Sequence, residues 1–148
     1  MKIIGAYIAQ GKVALRHEGS GVSISTDAPQ GSGGQGSCFS PTDLVAAALG
    51  SCVITTIGLV TERLDPAAEI RIKIEKEMQA TPRRIGSLKL TIHMPQHLSA
   101  DECAQMERVA NDCPVRLSLH PDIRVEMRFV YGESLGVAIA DMPRNPTF

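Results

Sequence analysis

The sequence predicts an α+β fold with its elements in the order βββ-α-ββ-α-β. Three observations carry that reading. Apolar and polar residues alternate with a period of two in several short runs, which is the pattern of half-buried strands. One helix-length stretch in the middle of the chain has no charged residue. Two serines, Ser40 and Ser99, each stand three residues ahead of an acid, the signature of a helix start.

The first strands are expected at residues 2–9 and 12–17, with Gly11 making the turn between them. Val22, Ile24 and Thr26 alternate with Ser23 and Ser25 to give a third strand. Pro29 to Ser40 carries Gly31, Gly33, Gly34 and Gly36 and reads as a loop, because it lacks side chains large enough to anchor a core. Ser40-Pro41-Thr42-Asp43 then opens a helix, with Ser at the cap and Pro in the first turn. From Leu44 to Thr61 the helix is uncharged, and apolar or small on every side. A membrane span is the competing reading. The run sits at the lower limit of ~17–25 residues for one and is diluted by Gly50, Ser51, Thr55, Thr56 and Gly58, so a core helix fits better.

Two further strands follow. In the first, Ile70, Ile72 and Ile74 alternate with Arg71, Lys73 and Glu75. In the second, Leu88, Leu90, Ile92 and Met94 alternate with Lys89, Thr91 and His93. One apolar and one polar face on each is the mark of an antiparallel sheet. Ser99-Ala100-Asp101-Glu102 opens a second helix running to about Cys113, where Pro114 breaks it and can start a further short turn. Ile123, Val125, Met127 and Phe129 form the last strand. The expected organisation is one domain over residues 1–131 and a tail over 132–148 without clear period. An antiparallel sheet would wrap a long, buried central helix. A sheet covers only one side of a helix, and this one is apolar all round, so a second copy is expected to cover the rest in an intertwined homodimer.

Bulk properties exclude some functions. The formal net charge is −1 and no basic run occurs, which argues against nucleic-acid partners. Two Tyr, three Phe and no Trp leave little for base stacking. The apolar run near Ile3–Ile8 is too short for a signal-peptide core, so a cytoplasmic location is expected. In a reducing compartment the four cysteines, at positions 38, 52, 103 and 113, are expected to be thiols.

Cys52 sits inside the apolar helix, where cysteine often serves as a small buried hydrophobe. Cys113 closes the second helix on the side of Met106, Val109 and Ala110, facing inward. The Cys113-Pro114 junction sets its sulfur beside the free N–H groups of the next turn, which favour a thiolate; Asp112 opposes that. Each cysteine alone is weak evidence for chemistry.

The surrounding motifs point further. Gly33-Gly34-Gln35-Gly36, then Ser40-Pro41-Thr42-Asp43-Leu44, Ala46-Ala47-Ala48 and Ser51-Cys52, together with Asp112-Cys113-Pro114-Val115, resemble the two cysteine regions of the OsmC/Ohr family, the osmotically induced and organic hydroperoxide resistance proteins. The element order matches too, so the resemblance covers most of residues 1–130. It implies a dimeric fold with active sites at the subunit interface, Cys52 as the thiol that attacks a peroxide and Cys113 as the resolving thiol. The expected function is a thiol-dependent peroxidase acting on organic hydroperoxides in oxidative-stress defence, with no bound cofactor and an external dithiol or lipoyl-type reductant. An apolar pocket suits an organic hydroperoxide better than hydrogen peroxide. A non-catalytic small-molecule binding protein of the same fold is the alternative.

The chain departs from the family at the groups that support the thiolate. The Ohr branch has a glutamate directly after the helix-opening proline, where this chain has Thr42, with Asp43 one place later. Its arginine falls near Lys12, with Arg16 four residues on and on the same strand face. Arg16 is the better chemical fit, since guanidinium stays charged when buried; both residues could equally be solvated strand positions. Asp43 lies about 13 Å along an unbroken helix from Cys52 and on the opposite side, so it is either a cap or needs a helix break near Gly50, or a contact from the other subunit. Cys38 reads as an exposed loop residue and Cys103 as structural. His93 and His97 straddle Pro95 rather than sharing a helix face, so no metal site is expected.

Overall fold

A computed structural model describes residues 1–61, 69–95, 98–133 and 135–136. The strands are β1 (Ile3–Ala9), β2 (Lys12–His17), β3 (Ser23–Thr26), β4 (Arg71–Gln79), β5 (Arg84–Met94) and β6 (Arg124–Tyr131). The helices are α1 (Pro41–Thr61), α2 (Ala100–Asn111) and α3 (Pro114–Ser118). The expected order is present, with α3 as the short turn that Pro114 can start. Two compact units divide the chain, Met1–Ala48 and Leu49–Phe148.

In the first unit β1, β2 and β3 form an antiparallel meander. The β1–β2 turn is made by Gln10 and Gly11, both at positive φ (49° and 81°), the combination that a two-residue hairpin turn needs. The Gly-rich loop after β3 is built around Asp27, a fully buried carboxylate. Its oxygens accept the Ser37 N–H at 2.9 Å, the Ser37 hydroxyl at 2.8 Å and the Gln35 N–H at 3.4 Å. Gly34 must be glycine there, because a Cβ would lie 1.9 Å from the Ala28 carbonyl oxygen. The loop ends at Ser40, whose N–H donates to Asp43 Oδ2 at 2.8 Å while the Asp43 N–H donates to Ser40 Oγ at 3.2 Å. This reciprocal pair starts α1.

In the second unit β4, β5 and β6 form a separate three-stranded sheet. β4 and β5 are antiparallel, but β6 runs parallel to β5. The expected single antiparallel sheet is therefore corrected to two sheets, one of them mixed. Alternation reports which face of a strand is buried and not its direction, and the α2–α3 connection supplies the long crossover that a parallel pair requires. β5 is the core strand: Leu88, Leu90, Ile92 and Met94 are all buried. Ile85 is also buried although it has the opposite parity. The β4–β5 pairing slips there, leaving Gly86 unpaired between Ile85 and Ser87, and that bulge moves the buried face from odd to even positions.

Helix α1 is long and apolar enough to cross a membrane by length and composition alone, yet only 33% of its most apolar window is buried within the chain. The chain itself thus covers one side of the helix, the extent expected of a single copy. In the second unit the buried part is a stripe, Leu49, Gly50, Val53, Ile57 and Thr61, at three- and four-residue spacing. Gly50 lets β4 approach closely, since a Cβ would fall 2.1 Å from Ile74 Cδ1. At the far end Thr61 Oγ1 reaches Met106 Sδ of α2 at 3.4 Å. Leu59, off the stripe, is 60% exposed.

Two outcomes test the loop. Gly34→Ala should lower stability in urea denaturation by on the order of 1–3 kcal/mol, because backbone must move. Gly31→Ala, where an added Cβ meets nothing within 4 Å, should be close to neutral. The hydrogen bonds from Ser37 and Gln35 hold the Asp27 carboxyl below its ordinary 3.8, with the Lys12 charge assisting. A depressed carboxylate stabilises the fold above its unfolded value and loses that contribution as pH falls through its folded value. The stability gap between wild type and Asp27→Asn should thus be constant near neutrality and shrink below pH 3.8.

Candidate active site

The Leu49–Phe148 unit brings Cys52 and Cys113 together. Cys52 lies beside the buried stripe of α1, half-buried, and its carbonyl accepts the Thr56 hydroxyl at 2.8 Å. Cys113 is fully buried. Helix α2 ends at Asn111, earlier than the residue expected from sequence, with Asp112 as its C-cap. Cys113 then takes an extended conformation (φ −64°, ψ 136°) as the N-cap of α3, with Pro114 in the first position. This turns its sulfur onto the start of α3, where it accepts the Arg116 N–H at 3.4 Å.

The Cys52 and Cys113 side chains are near enough to influence one another, and both cysteines are free. Burial pushes the Cys113 thiol above its ordinary range; the N–H groups of Arg116 and Val115 pull the other way, while the adjacent Cys52 sulfur raises it further. The helix-start effect expected from the Cys-Pro junction is present but is outweighed by desolvation. Cys113 is thus held as a protonated thiol near neutral pH, beside a partner sulfur that is closer to solvent. A sulfenic acid at either position would have a thiol within reach to condense with it.

Lys12, Arg16 and Asp43 belong to the Met1–Ala48 unit and have local surroundings there. Lys12 Nζ donates to Gln35 Oε1 at 3.4 Å, which places it at the Asp27 loop. Arg16 is exposed on β2, opposite Ser23 of β3. Asp43 forms the α1 cap, and α1 is continuous through Gly50, so the break considered from sequence does not occur. Cys38 is exposed, with its thiol 3.4 Å from the Ser25 carbonyl oxygen. Cys103 is half-buried, with its thiol 3.9 Å from the Leu98 carbonyl oxygen. His93 Nδ1 lies 2.9 Å from the Glu133 carbonyl oxygen; His97 is outside the described residues.

Two features were not singled out from the sequence. One is Asp27, which no motif marked except its place just ahead of the glycines. The other is Arg116, whose only signal was its position three residues after Cys113.

A family model described as OsmC-like protein matches residues 34–128, which contain both cysteines. The chain belongs to the OsmC family. Among solved structures, this OsmC-like chain is similar to an osmotic stress induced and detoxification response protein from Psychrobacter arcticus 273-4, at 31% identity and a TM-score of 0.82, covering 88% of this chain and 96% of that one. It also shares its fold with an organic hydroperoxide resistance protein OsmC from Legionella pneumophila (18% identity, TM-score 0.68, 87% and 96% covered). The organic hydroperoxide resistance protein OhrB of Bacillus subtilis is a third such structure (14%, 0.60, 87% and 96%). No curated protein matches. Membership of a family that includes organic hydroperoxide resistance proteins agrees with the motifs around Cys52 and Cys113.

The different settings of the cysteines in this OsmC-like fold predict an order of alkylation. With iodoacetamide near neutral pH, the exposed Cys38 and the half-buried Cys52 should label before Cys113, which should react only after denaturant is added; peptide mass mapping over time reads this directly.

Proposed function

We propose that this protein is a thiol-dependent peroxidase that reduces organic hydroperoxides through Cys52 and Cys113. The observation that carries the reading is the nearness of these two thiols, one half-buried and one fully buried, from α1 and the α2–α3 junction. Cys52 is the attacking thiol because it is the more accessible of the pair. Its thiolate attacks the outer oxygen of R–O–O–H, the O–O bond breaks, and the alkoxide leaves and takes up a proton as the alcohol. Cys52 is then a sulfenic acid. The Cys113 thiol gives up its proton, its sulfur displaces the hydroxyl as water, and a disulfide forms. An external dithiol or lipoyl-type reductant restores both thiols. No bound cofactor is required by this sequence of steps.

The same reading includes a cytoplasmic homodimer. Its support is the apolar surface of β1, where Ile3, Ile4, Tyr7 and Ile8 are 57%, 58%, 70% and 61% exposed. Ile3 and Tyr7 lie on one face of this strand and Ile4 on the other, so both faces carry exposed apolar side chains that a second copy would cover. Sedimentation should give twice the mass of the chain.

A non-catalytic, ligand-binding role is favoured by one feature, the Thr42 that stands in place of the family's glutamate. Activity measurements separate the two. With tert-butyl hydroperoxide and dihydrolipoamide, wild type should turn over, Cys52→Ser should fall to background, and Cys113→Ser should react once and then inactivate as Cys52 is overoxidised. Equal consumption by all three proteins would reject the enzyme reading. Hydrogen peroxide should be the poorer substrate.

A further inference from the structure

Arg116 makes contacts on both sides of Cys113. Its backbone N–H donates to the Cys113 sulfur at 3.4 Å. Its guanidinium reaches back over the Cys113-Pro114 junction, and Nη1 donates to the Asn111 carbonyl oxygen at 3.1 Å. Asn111 is the last residue of α2, so this carbonyl is one of the helix-end acceptors that lack an intrahelical partner and carry the negative end of the helix dipole. The side chain therefore closes a loop from the start of α3 to the end of α2, with the cysteine inside it.

The arrangement has a cost. Arg116 Nε is buried and has no hydrogen-bond partner among the described residues. Leaving a buried donor unsatisfied is unfavourable, and a methionine or leucine stem would fill the same space without it. A residue chosen only for packing would not be an arginine here. What arginine adds is the tie to Asn111 and a positive charge at the junction that presents the thiol.

We infer that Arg116 is a positioning residue for Cys113, its guanidinium tying α2 to α3 so that the Cys113 sulfur is held toward Cys52 during disulfide closure. The inference rests on the two-thiol reading above and adds to it a residue that controls the second step alone. Closure requires Cys113 to lose a proton and attack in line with the bond being broken on Cys52. A turn free to rotate about the Cys-Pro junction would present the sulfur in that geometry for less of the time.

The experiment compares wild type, Arg116→Met and Arg116→Lys under two oxidants. Methionine keeps the apolar stem and removes both the tie and the unsatisfied donor; lysine keeps a donor for the Asn111 carbonyl. With tert-butyl hydroperoxide, stopped-flow should show an unchanged first step at Cys52 in all three proteins. Disulfide closure, followed by rapid quench and mass, should be about tenfold slower in Arg116→Met, the effect of losing one positioned hydrogen bond, and close to wild type in Arg116→Lys. Sulfinic acid at Cys52 should accumulate correspondingly earlier in the methionine variant. The Tm of Arg116→Met should be equal to or above that of wild type.

Diamide provides the second arm. It adds across one thiol to give a sulfenyl hydrazine at Cys52, and the Cys113 sulfur then displaces the hydrazine to form the same disulfide. This closure needs no peroxide chemistry. If peroxide is not consumed but diamide closure is slowed in Arg116→Met and restored in Arg116→Lys, the positioning role stands and the peroxidase reading falls. If Arg116→Met closes at the wild-type rate with both oxidants, the inference is overturned. It is equally overturned if every step slows together with a lowered Tm, because that is what a purely structural arginine would give.

Discussion

Packing of one stripe of α1 against β4 and α2 is the constraint on which the candidate site depends. The stripe from Leu49 through Val53 and Ile57 to Thr61 fixes the rotation of the helix about its axis. Gly50 admits Ile74 at one end, and Thr61 meets Met106 at the other. With that rotation set, Cys52 can take only one position, next to Val53 and at the margin of the buried face. Buried Met106 and Ala110 set α2 in the same way, and the capped turn after Asn111 carries Cys113 inward. The nearness of the two thiols is a product of how α1 and α2 are packed, so a change that rotated either helix would move them apart.

Much of this was legible in the residues. The serine-headed capping boxes located the starts of α1 and α2 because their hydrogen bonds are local, made within four residues. Period-two alternation located β4, β5 and β6 because one face of each is buried. The pairing of Cys52 with Cys113 came from the family resemblance rather than from spacing, since no local rule relates residues so far apart in sequence. The direction of β6 was not legible: Ile123, Val125, Met127 and Phe129 give the same pattern whichever way the strand runs. Nor was the bulge at Gly86, which appears only when Ile85 and Leu88 are seen to be buried on one side.

Asp27 shows a different limit. A carboxylate is among the side chains least expected to be fully buried, and it is accepted here because three donors from its own loop surround it. Those donors are backbone and serine groups of an irregular segment, whose geometry no periodic pattern encodes. The uncharged character of α1 likewise indicated burial without indicating by what. The chain itself covers a stripe, and residues such as Leu59 remain open.

The unequal depth of the two sulfurs bears on how an oxidised pair would be returned to the dithiol state. An incoming thiolate would find the sulfur of Cys52 the only approachable end of the bond, leaving Cys113 to depart with the electrons. A buried sulfur with a raised proton affinity is a reluctant leaving group, so single-thiol donors would be slow and the mixed intermediate would tend to collapse backward. A donor carrying its own second thiol escapes this by closing on itself and making the exchange irreversible. In such a cycle the recess that hides Cys113 would act as a filter on which reductants could serve the protein.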